Sequence, residues 1–293
     1  MKKIGVIGLR NSWSSEKLAD AVKQETGFRM LIDMDAVSCD LSEGKVTYAG
    51  LDLSTLDGII IKKIGPEYTP NLLDRLEILR YLSDRGLKTY SNPLSIIRLL
   101  DRLSCTVSLG LGGIPMPPTV ITGETDKAEE VVDRFGAAVL KPLYSTKARG
   151  MIVIRKGEAT REGIEKFKNA GNPMMYIQKL VDIPGKDLGI AFLGGEYIAT
   201  YSRSKHKDSW NTTTDNGGKY LPYDPPQETI DLAYKAQALF DLDFTCVDIV
   251  ETRDGPLVFE VSAFGGFRGL MSANGIDAAS LYAKYVMGKL KNG

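Results

Sequence analysis

Histidine and cysteine are scarce in this sequence, and their scarcity argues against several kinds of site. The chain of 293 residues has one histidine, His206, and three cysteines that lie far apart, Cys39, Cys105 and Cys246. Without a CxxC pair, the sequence has no pattern for a disulfide framework or a zinc site. Ser-His-Asp or Cys-His catalysis would have to use His206, and the nucleophile motif GxSxG is absent. We interpret His206, in the polar run SKHKD, as an exposed loop residue rather than a proton-transfer residue.

The sequence also lacks an excess of charge of either sign and any long apolar run. Lysine plus arginine and aspartate plus glutamate both number 37, so net charge gives no argument for nucleic acid or a membrane surface as a partner. The N-terminal stretch MKKIGVIGL has too short an apolar run for a signal peptide, and no run approaches the length of a membrane span. We therefore expect a cytoplasmic protein that binds neither nucleic acid nor membrane.

Length and the order of patterns predict an α/β fold of two or three domains, with an α+β C-terminal part. A chain of this length exceeds one typical core. Strand and helix patterns alternate through residues 1–93, from the buried strand KIGVIGL to the strand in GLKTYSNP, which predicts a small parallel α/β domain. An amphipathic helix over 94–110 opens a second domain, 94–175, and ends at the Gly/Pro cluster GLGGIPMPP. A third domain, 176–293, contains a hairpin that turns at Gly194–Gly195.

The strongest local signal for chemistry is the stretch FTCVDIVETRDGPLVFEVSAFGGFRG. Two apolar runs flank a turn, and a three-residue loop over residues 253–255 predicts a hairpin in which Asp248 faces Glu260. Directly opposed residues have Cβ atoms roughly 5 Å apart, so two carboxylates there repel each other unless a cation holds them. A magnesium ion, which binds one or two carboxylates together with substrate phosphates, is one candidate. A neighbouring cationic side chain, for example Lys141 or Arg268, is the alternative.

Two other segments carry weaker signals for phosphate binding. GVIGLRNS, at the first strand, lacks a complete GxGxxG, so we interpret it as a structural turn rather than a dinucleotide site. The loop YSTKARGM, residues 144–151, follows the strand AAVLKPL, and a small basic loop of this kind can lie over phosphates. It is not a P-loop, because no helix follows it and GxxxxGK[ST] is absent. From these residues alone, a solvated basic hairpin is an equal alternative.

Taken together, the order of the motifs resembles one family. The lysine-ended strand AAVLKPL precedes the basic loop, and then come YIQKL, GKDLGIAFLGGEYIAT, W-x-T-x-x-x-x-GGK, VDI and FEVSAFGGFRG. With LDGIIIKKIG and SNPLSIIRLLDRL upstream, this order is similar to the ATP-grasp superfamily and, within it, to the RimK-like carboxylate–amine ligases. The resemblance covers essentially the whole chain. It implies an ATP-grasp fold behind a small N-terminal α/β domain, and an enzyme that joins a carboxylate to the amine of glutamate or a related amino acid.

The reaction that the resemblance implies suits a chain with so few nucleophiles. A carboxylate attacks the γ-phosphate of ATP, giving an acyl phosphate and ADP, and an amine then displaces phosphate to form an amide. Phosphoryl transfer depends mainly on positioning and on charge neutralisation by metal ions, lysine and arginine. Two magnesium ions, for which manganese could substitute, would bridge the phosphates. The implied partners are ATP, a small-molecule or peptide carboxylate and an amino-acid amine, and the family is commonly homo-oligomeric.

The resemblance also assigns roles to individual positions. Lys141 and the flap from Ser145 to Gly150 would lie over the ATP phosphates, with Arg203 near the γ-phosphate and the acyl phosphate. The metal-ligand positions are Asp248, Glu260 and Ser262. The remaining positions would contact the nucleotide, and they are Arg102, Gln178, Lys179, Leu180, Asp187, Asn211, Thr212 and Thr213.

Within the nucleotide-contacting set, the resemblance distinguishes three roles. Gln178 and Lys179, with Leu180 beside them, lie at the hinge between the two halves of the grasp and would hold adenine largely through backbone groups. Asp187 would lie near the ribose. Residues 211–213 would approach the phosphates.

The sequence departs from the family pattern mainly on the metal and acceptor side. The flap has Ser145 and Ala148 where glycine is usual, so the backbone would approach phosphate less closely. The third metal ligand is usually asparagine, and here it is Ser262, a shorter and weaker ligand. Gly189 replaces an arginine that contacts substrate. In the phosphate loop, a basic residue and an asparagine are replaced by the residues at 211 and 213.

The acceptor side has its own pattern of charge. Arg268 follows SAFGG, where an acidic residue is common in the family. Together with Lys205 or Lys207, it could favour an acidic acceptor. The alternative is that these residues are solvated surface charges.

Two other functions stay open, and the departures at Ser262 and in the flap suggest the second of them. A small-molecule kinase on the same fold would give a phosphorylated product instead of an amide. A nucleotide-binding regulatory protein that has lost turnover would bind MgATP and release no ADP with any acid.

Overall fold

The N-terminal part of the chain forms a parallel sheet, as its alternating patterns predict. The computed structural model describes residues 2–146, 148–204 and 219–292. The elements up to residue 90 are β1 (Ile4–Ile7), α1 (Trp13–Thr26), β2 (Leu31–Ile32), β3 (Ser38–Asp40), β4 (Lys45–Tyr48), β5 (Leu51–Asp52), β6 (Gly58–Ile61), α2 (Leu72–Asp84) and β7 (Thr89–Tyr90). The sheet has the order β2-β1-β6-β7, and all its pairs are parallel. All residues of β1 and β6 are buried, because a parallel sheet is covered on both faces.

A small antiparallel sheet lies between β2 and β6 in the sequence and was not predicted. Its order is β3-β4-β5. These strands are only three, four and two residues long. A run that short gives little alternation of apolar and polar residues from which a strand could be predicted.

The single helix expected over 94–110 is two helices, α3 (Pro93–Ile97) and α4 (Arg102–Leu111). Asp101 ends the connection between them, because its carboxylate accepts a hydrogen bond from the backbone N–H of Ser104 at 2.8 Å and so caps α4. The backbone N–H of Arg102 donates to the carbonyl of Leu143. The break therefore places Arg102 at the start of a helix, beside the strand that carries Lys141.

The middle of the chain forms an antiparallel sheet with two helices. Its elements are β8 (Thr119–Thr122), α5 (Thr125–Phe135), β9 (Ala137–Lys141), β10 (Ile152–Arg155), α6 (Thr160–Asn169) and β11 (Met175–Lys179). The strand order is β10-β9-β11-β8. Apolar residues of α5, α6 and the sheet form a core of their own. The basic loop of residues 144–151 connects β9 to β10, as predicted.

The last part of the chain forms a second antiparallel sheet. Its elements are β12 (Lys186–Leu193), β13 (Glu196–Ser204), β14 (Tyr220–Tyr223), α7 (Gln227–Ala238), β15 (Phe244–Thr252), β16 (Gly255–Ser262), α8 (Phe267–Asn274) and α9 (Ala278–Asn292). The strand order is β14-β13-β12-β15-β16. The hairpin that turns at Gly194–Gly195 joins β12 to β13, as predicted.

The hairpin of β15 and β16 pairs Asp248 with Glu260, as predicted, although its turn is shorter than expected. Thr252 pairs with Gly255, so the loop has two residues rather than three. A bulge beyond Asp248 restores the register, and Phe259 is the additional residue on β16. As a consequence, the consecutive residues Phe259 and Glu260 both line the cleft described below.

The N-terminal sheet and the last sheet share their hydrophobic cores. One core includes Ile7 and Ile61 together with Leu188 and Ile249. A second core joins α1 to the C-terminal helix α9. The three-domain division at residues 93 and 175 stays a prediction. Within the described ranges, no helix is both long and apolar enough to cross a membrane.

Candidate nucleotide and metal site

A cleft of about 540 Å³ lies where the N-terminal part of the chain and the two larger antiparallel sheets approach one another. One wall comes from the β8–β11 sheet and its basic loop, another from the β12–β16 sheet, and a third from residues 63–68 of the N-terminal part. The charged residues that line it are Lys63, Arg102, Lys141, Arg149, Lys179 and Arg203, with Asp187, Asp248 and Glu260. Among the described residues, basic side chains in the cleft thus outnumber acidic ones, which favours an anionic ligand.

Arg203 bridges two carboxylates in the floor of the cleft. It lies opposite Asp187 on the neighbouring strand, and its Nε and Nη2 donate to the two oxygens of that carboxylate at 2.9 and 2.8 Å. Nη2 also lies 3.1 Å from Oδ2 of Asp248. Burial raises the pKa of Asp248, Arg203 opposes this increase, and the charge of Glu260 adds to it. Asp187, which we expected near the ribose, therefore also orients Arg203.

Arg102 is the cation that holds the second carboxylate. Its Nη1 donates to Oε2 of Glu260 at 3.0 Å, and its side chain is only 7% exposed. The guanidinium also lies 5.9 Å from the ring centroid of Tyr176. From the sequence we named Lys141 and Arg268 as cations that could neutralise the carboxylate pair; the ion pairs are instead made by Arg203 and Arg102.

The carboxylate pair fits a magnesium ion that also binds phosphate. Asp248 and Glu260 lie directly opposite each other and both line the cleft. Magnesium is usually held by one or two carboxylates, substrate phosphates and water, so two protein carboxylates are a sufficient donor set. Groups of three or more His, Cys, Asp or Glu side chains suited to a metal do not occur within the described residues. A dedicated all-protein cage is therefore not the kind of site that this part of the chain offers.

Ser262, the predicted third metal ligand, is hydrogen-bonded within its own loop. Its Oγ accepts from the backbone N–H groups of Phe264 and Gly265 at 3.3 and 3.0 Å. A hydroxyl has two acceptor lone pairs, and these two bonds use both. Direct coordination of a metal would require one of these bonds to open. The assignment of Ser262 as a ligand stays a prediction.

Lys141 ends β9 and points into the cleft beside Gln178. Its Nζ donates to Oε1 of Gln178 at 2.6 Å, and the residue is 9% exposed. The pKa of Lys141 is lowered to about 7, mainly by burial and also by the charge of Arg102, whereas the charge of Glu260 opposes the decrease. The amide nitrogen of Gln178 donates to Thr119 and Tyr176. Both N–H groups of the Gln178 amide are thus used and its oxygen holds Lys141, so backbone atoms of this segment are the better candidates to contact a base.

The basic loop contributes an unsatisfied hydroxyl. Ser145 lines the cleft, and its Oγ is buried without a hydrogen-bond partner among the described residues. A buried polar atom without a partner is costly, so a bound phosphate oxygen would satisfy it. Ala148 and Gly150 both have positive φ, 57° and 69°. The loop therefore has a tightly turned backbone even though Ala148 stands where we noted that glycine is usual.

A family model described as the RimK-like ATP-grasp domain matches residues 99–286. The chain belongs to the RimK-like ATP-grasp family. The tetrahydromethanopterin:alpha-L-glutamate ligase of Methanosarcina acetivorans is 25% identical to this chain, over 98% of this chain and 99% of the relative. A probable alpha-L-glutamate ligase of Vibrio cholerae is 26% identical, over 97% of this chain and 95% of the relative. The RimK-like ATP-grasp ligases join carboxylates to amines, and the predicted family is thus confirmed.

Solved structures of ATP-grasp ligases share the fold. The ligase PsnB, in complex with a phosphomimetic variant of a minimal precursor, Mg and ADP, has a TM-score of 0.76 and 15% identity, over 99% of both chains. A RimK domain protein from Sphaerobacter thermophilus has a TM-score of 0.75 and 18% identity, over 97% of this chain and 98% of that one. The predicted α/β fold with ATP-grasp architecture is confirmed.

The hinge of this RimK-like chain differs in detail from expectation. The backbone N–H groups of Lys179 and Leu180 already donate to the carbonyls of Pro118 and Ala137. The N–H of Val181 has no partner in the described ranges, and Val181 lines the cleft. Val181 therefore fits a backbone donor to a base better than either neighbour, and we missed it. The sequence feature that could have indicated Val181 is its position directly after the motif YIQKL.

An aromatic ring occupies the space above Gly189, where the family pattern has an arginine. Gly189 pairs with Tyr201 on one side and Asp248 on the other. A Cβ on Gly189, or on Gly269 across the ring, would overlap Tyr201. Both glycines are needed because the ring lies flat between two backbones. The sequence alone did not reveal this packing, since residues 189, 201 and 269 are far apart in the chain.

The remaining predicted positions do not line the cleft or lie outside the described residues. Arg268 is exposed, and its guanidinium lies 5.1 Å from the ring centroid of Trp13. Arg268 is not among the residues that line the cleft. The predicted positions that lie outside the described residues are Asn211, Thr212, Thr213, Lys205, His206 and Lys207.

Proposed function

We propose that the cleft binds MgATP and that the chain activates a carboxylate as an acyl phosphate and then joins it to the amine of an amino acid of the glutamate type. The observation that supports this best is the convergence of Lys141, Arg203 and Arg102 on the carboxylate pair Asp248 and Glu260. Phosphoryl transfer needs charge neutralisation and positioning, and it needs no protein nucleophile. The names of the alpha-L-glutamate ligase relatives support the amino-acid type.

In this mechanism the side chains of the chain act mainly on the phosphates. Lys141, the hydroxyl of Ser145 and the N–H of Val181 hold the nucleotide. The substrate carboxylate attacks the γ-phosphorus, the bond to the β,γ-bridging oxygen breaks, and ADP leaves. Arg203 and Arg102 neutralise the charge that develops on the transferred group. Magnesium bound by Asp248 and Glu260 would supply further neutralisation of the phosphates.

The second step joins the acyl phosphate to the amine. The amine nitrogen attacks the acyl carbon, the carbon–oxygen bond to phosphate breaks, inorganic phosphate leaves, and the nitrogen loses its proton. The wall opposite the nucleotide offers Lys63 and Tyr68, with Phe264 beside them. An anionic group on the acid or amine would meet Lys63 there. Arg268 would contribute only at the outer edge, because it lies on Trp13.

The test is a screen of acid–amine pairs with ATP and magnesium, with ADP measured enzymatically and the product identified by mass spectrometry. We expect ADP release that requires both an acid and an amine, together with an amide product. The variant Lys141→Ala is the negative control, since it should weaken ATP binding and abolish turnover. A phosphorylated acceptor without an amide would contradict the proposal and indicate a kinase. MgATP binding without ADP release under any pair would indicate a regulatory protein.

Two finer features belong to the same proposal. Self-association into a homo-oligomer, which the resemblance implies, would be measured by light scattering of the purified chain. The residues 211–213 are proposed to approach the phosphates, and protection of this segment from proteolysis by MgATP would support that role.

A further inference from the structure

One buried cation near the cleft has no role in the mechanism above. Within the described ranges, Lys62 and Lys141 are the two buried lysines. Lys141 lies in the nucleotide site, whereas Lys62 is 2% exposed and does not line the cleft. Its backbone N–H donates to the carbonyl of Ile7, which places Lys62 just after β6, at the carboxyl end of the N-terminal sheet.

The Lys62 side chain crosses from the N-terminal part to a loop two hundred residues later in the chain. Its Nζ donates to the backbone carbonyl of Phe264 at 2.7 Å. The same atom lies 3.7 Å from the ring centroid of Phe267 and 5.7 Å from that of Phe244. A carbonyl and an aromatic face are both favourable for an ammonium group. No carboxylate forms an ion pair with Lys62 in the described part of the chain.

The loop that Lys62 contacts is residues 262–266, the SAFGG loop. It directly follows the strand that carries Glu260, and Phe264, Gly265 and Gly266 line the cleft. From the other side, Oγ of Ser262 accepts the N–H groups of Phe264 and Gly265. The loop is thus fixed by two side chains, one at the end of its own strand and one from the N-terminal sheet.

Burial of a lysine ammonium without a carboxylate partner is costly. The pKa of Lys62 is lowered to about 7, mainly by burial and also by the charge of Lys63. An apolar side chain of similar length would fill the same space without that cost. We therefore explain the contact between Lys62 and Phe264 by the way it positions the SAFGG loop, rather than by a contribution to the stability of the fold.

We propose that Lys62 is a positioning residue that fixes the SAFGG loop against the N-terminal sheet and thereby sets the wall of the cleft on the side of the acid and the amine. The assignment of this wall to the acid and the amine rests on the proposed function. Lys141 and the predicted hinge residues Gln178 and Lys179 belong to a different sheet, β10-β9-β11-β8. Loss of Lys62 should therefore reduce turnover while leaving nucleotide affinity almost unchanged.

The experiment compares the full-length chain with the variants Lys62→Met and Lys62→Arg. Methionine keeps the length and burial of the side chain but removes the donor and the charge, whereas arginine keeps both. Ile59→Val, in β6 itself, is the control for a general loss of packing in the same sheet. Three quantities are measured: amide hydrogen exchange of the peptide spanning residues 259–270, ATP affinity by calorimetry with magnesium, and ADP release with the acid–amine pair found in the screen.

For Lys62→Met we expect loop exchange to rise about tenfold or more, because the Phe264 and Gly265 amides lose the anchor that holds their loop. We expect kcat to fall by up to about 100-fold, since a small misplacement near the reacting groups has effects of this size. ATP affinity should stay within about twofold. Lys62→Arg should restore much of the turnover, and Ile59→Val should change neither loop exchange nor kcat.

Two results would overturn the inference. Loop exchange in Lys62→Met equal to that of the parent chain would mean that Lys62 does not position the loop. A fall in ATP affinity as large as the fall in turnover would mean that the loop serves the nucleotide wall. Exchange and ATP affinity are measured without any acid or amine, so they decide the inference even if the screen finds no ligase activity, an outcome that would count against the proposed function alone.

Discussion

The ion pairs of Arg203 give the sharpest prediction about stability. The side chains of Arg203, Asp187 and Asp248 are 18%, 8% and 19% exposed. The substitution Arg203→Met removes the cation and leaves two largely buried carboxylates without it. Removal of one partner from a buried ion pair typically costs about 3–5 kcal/mol, because the remaining charge stays desolvated. We expect a loss of about this size in the free energy of unfolding at pH 8.

The chain contains a matched control for this variant. Arg161 also holds more than one carboxylate, those of Asp126, Glu129 and Glu165 at 2.8, 3.1 and 3.2 Å, but its side chain is 50% exposed. Exposed pairs contribute little because water and salt screen them. Urea unfolding of Arg203→Met and Arg161→Met, followed by circular dichroism, compares the two environments directly. Equal losses in the two variants would refute the view that Arg203 neutralises buried charge.

The loss of stability in Arg203→Met should also depend on pH, and the direction of that dependence can be worked out. Arg203 opposes the desolvation that raises the pKa of Asp248, so without Arg203 the folded-state pKa of this carboxylate lies further above the unfolded value. The folded variant then binds more protons than the unfolded chain, so its stability rises relative to the parent as the pH falls. The deficit of Arg203→Met should thus be smaller at pH 5 than at pH 8. A deficit that grows towards acidic pH would contradict the electrostatic account.

Three further predictions concern Lys141, Ser262 and Gly189. The pKa of Lys141 is lowered to about 7, and the charge of bound phosphate should raise it again. ATP binding should therefore take up close to one proton at pH 8 and almost none at pH 6, measured by calorimetry in buffers of different ionisation enthalpy. Equal proton uptake at the two pH values would refute this. Ser262→Asn should improve the use of magnesium if residue 262 is a ligand position, because serine is the shorter and weaker ligand. A dependence of ATP binding on magnesium equal to that of the parent chain would argue that residue 262 is not a ligand position. Gly189→Ala should destabilise the chain by about 1–3 kcal/mol because the added Cβ overlaps the Tyr201 ring. Gly157→Ala is the control, since a Cβ there meets no atom within 4 Å. Equal urea midpoints of unfolding for the two variants would contradict the packing argument.

The parts of the fold that could be predicted from the sequence are those that repeat a pattern over many residues. The buried runs of β1 and β6 and the hairpin at Gly194–Gly195 are of this kind. The facing of Asp248 and Glu260 was also predicted, although two features that cancel produced it: the loop is one residue shorter than expected, and the bulge at Phe259 compensates. Neither feature has a signal in the local sequence, because a bulge is stabilised by the contacts of the whole sheet.

The candidate site was predictable where residue type determines chemistry and was missed where distant residues meet. The facing carboxylates were predicted from the hairpin pattern, and the resemblance assigned Lys141 its place over the phosphates. The pairing of Arg102 with Glu260 joins positions 158 residues apart, and no spacing rule connects them. The same holds for Lys62 and the SAFGG loop, and for Tyr201 between two glycines. The free N–H of Val181 depends on which neighbouring carbonyls are already used, which only the structure reveals.

The central claim is that the cleft binds MgATP through the carboxylate pair, and calorimetric titration with ATP tests it most directly. We predict that the parent chain binds ATP much more tightly with magnesium than without it, and that Asp248→Asn loses this difference. The variant Asp231→Asn, on the surface helix α7, should bind as the parent does. Binding that ignores magnesium in the parent chain, or no binding at all, would contradict the account.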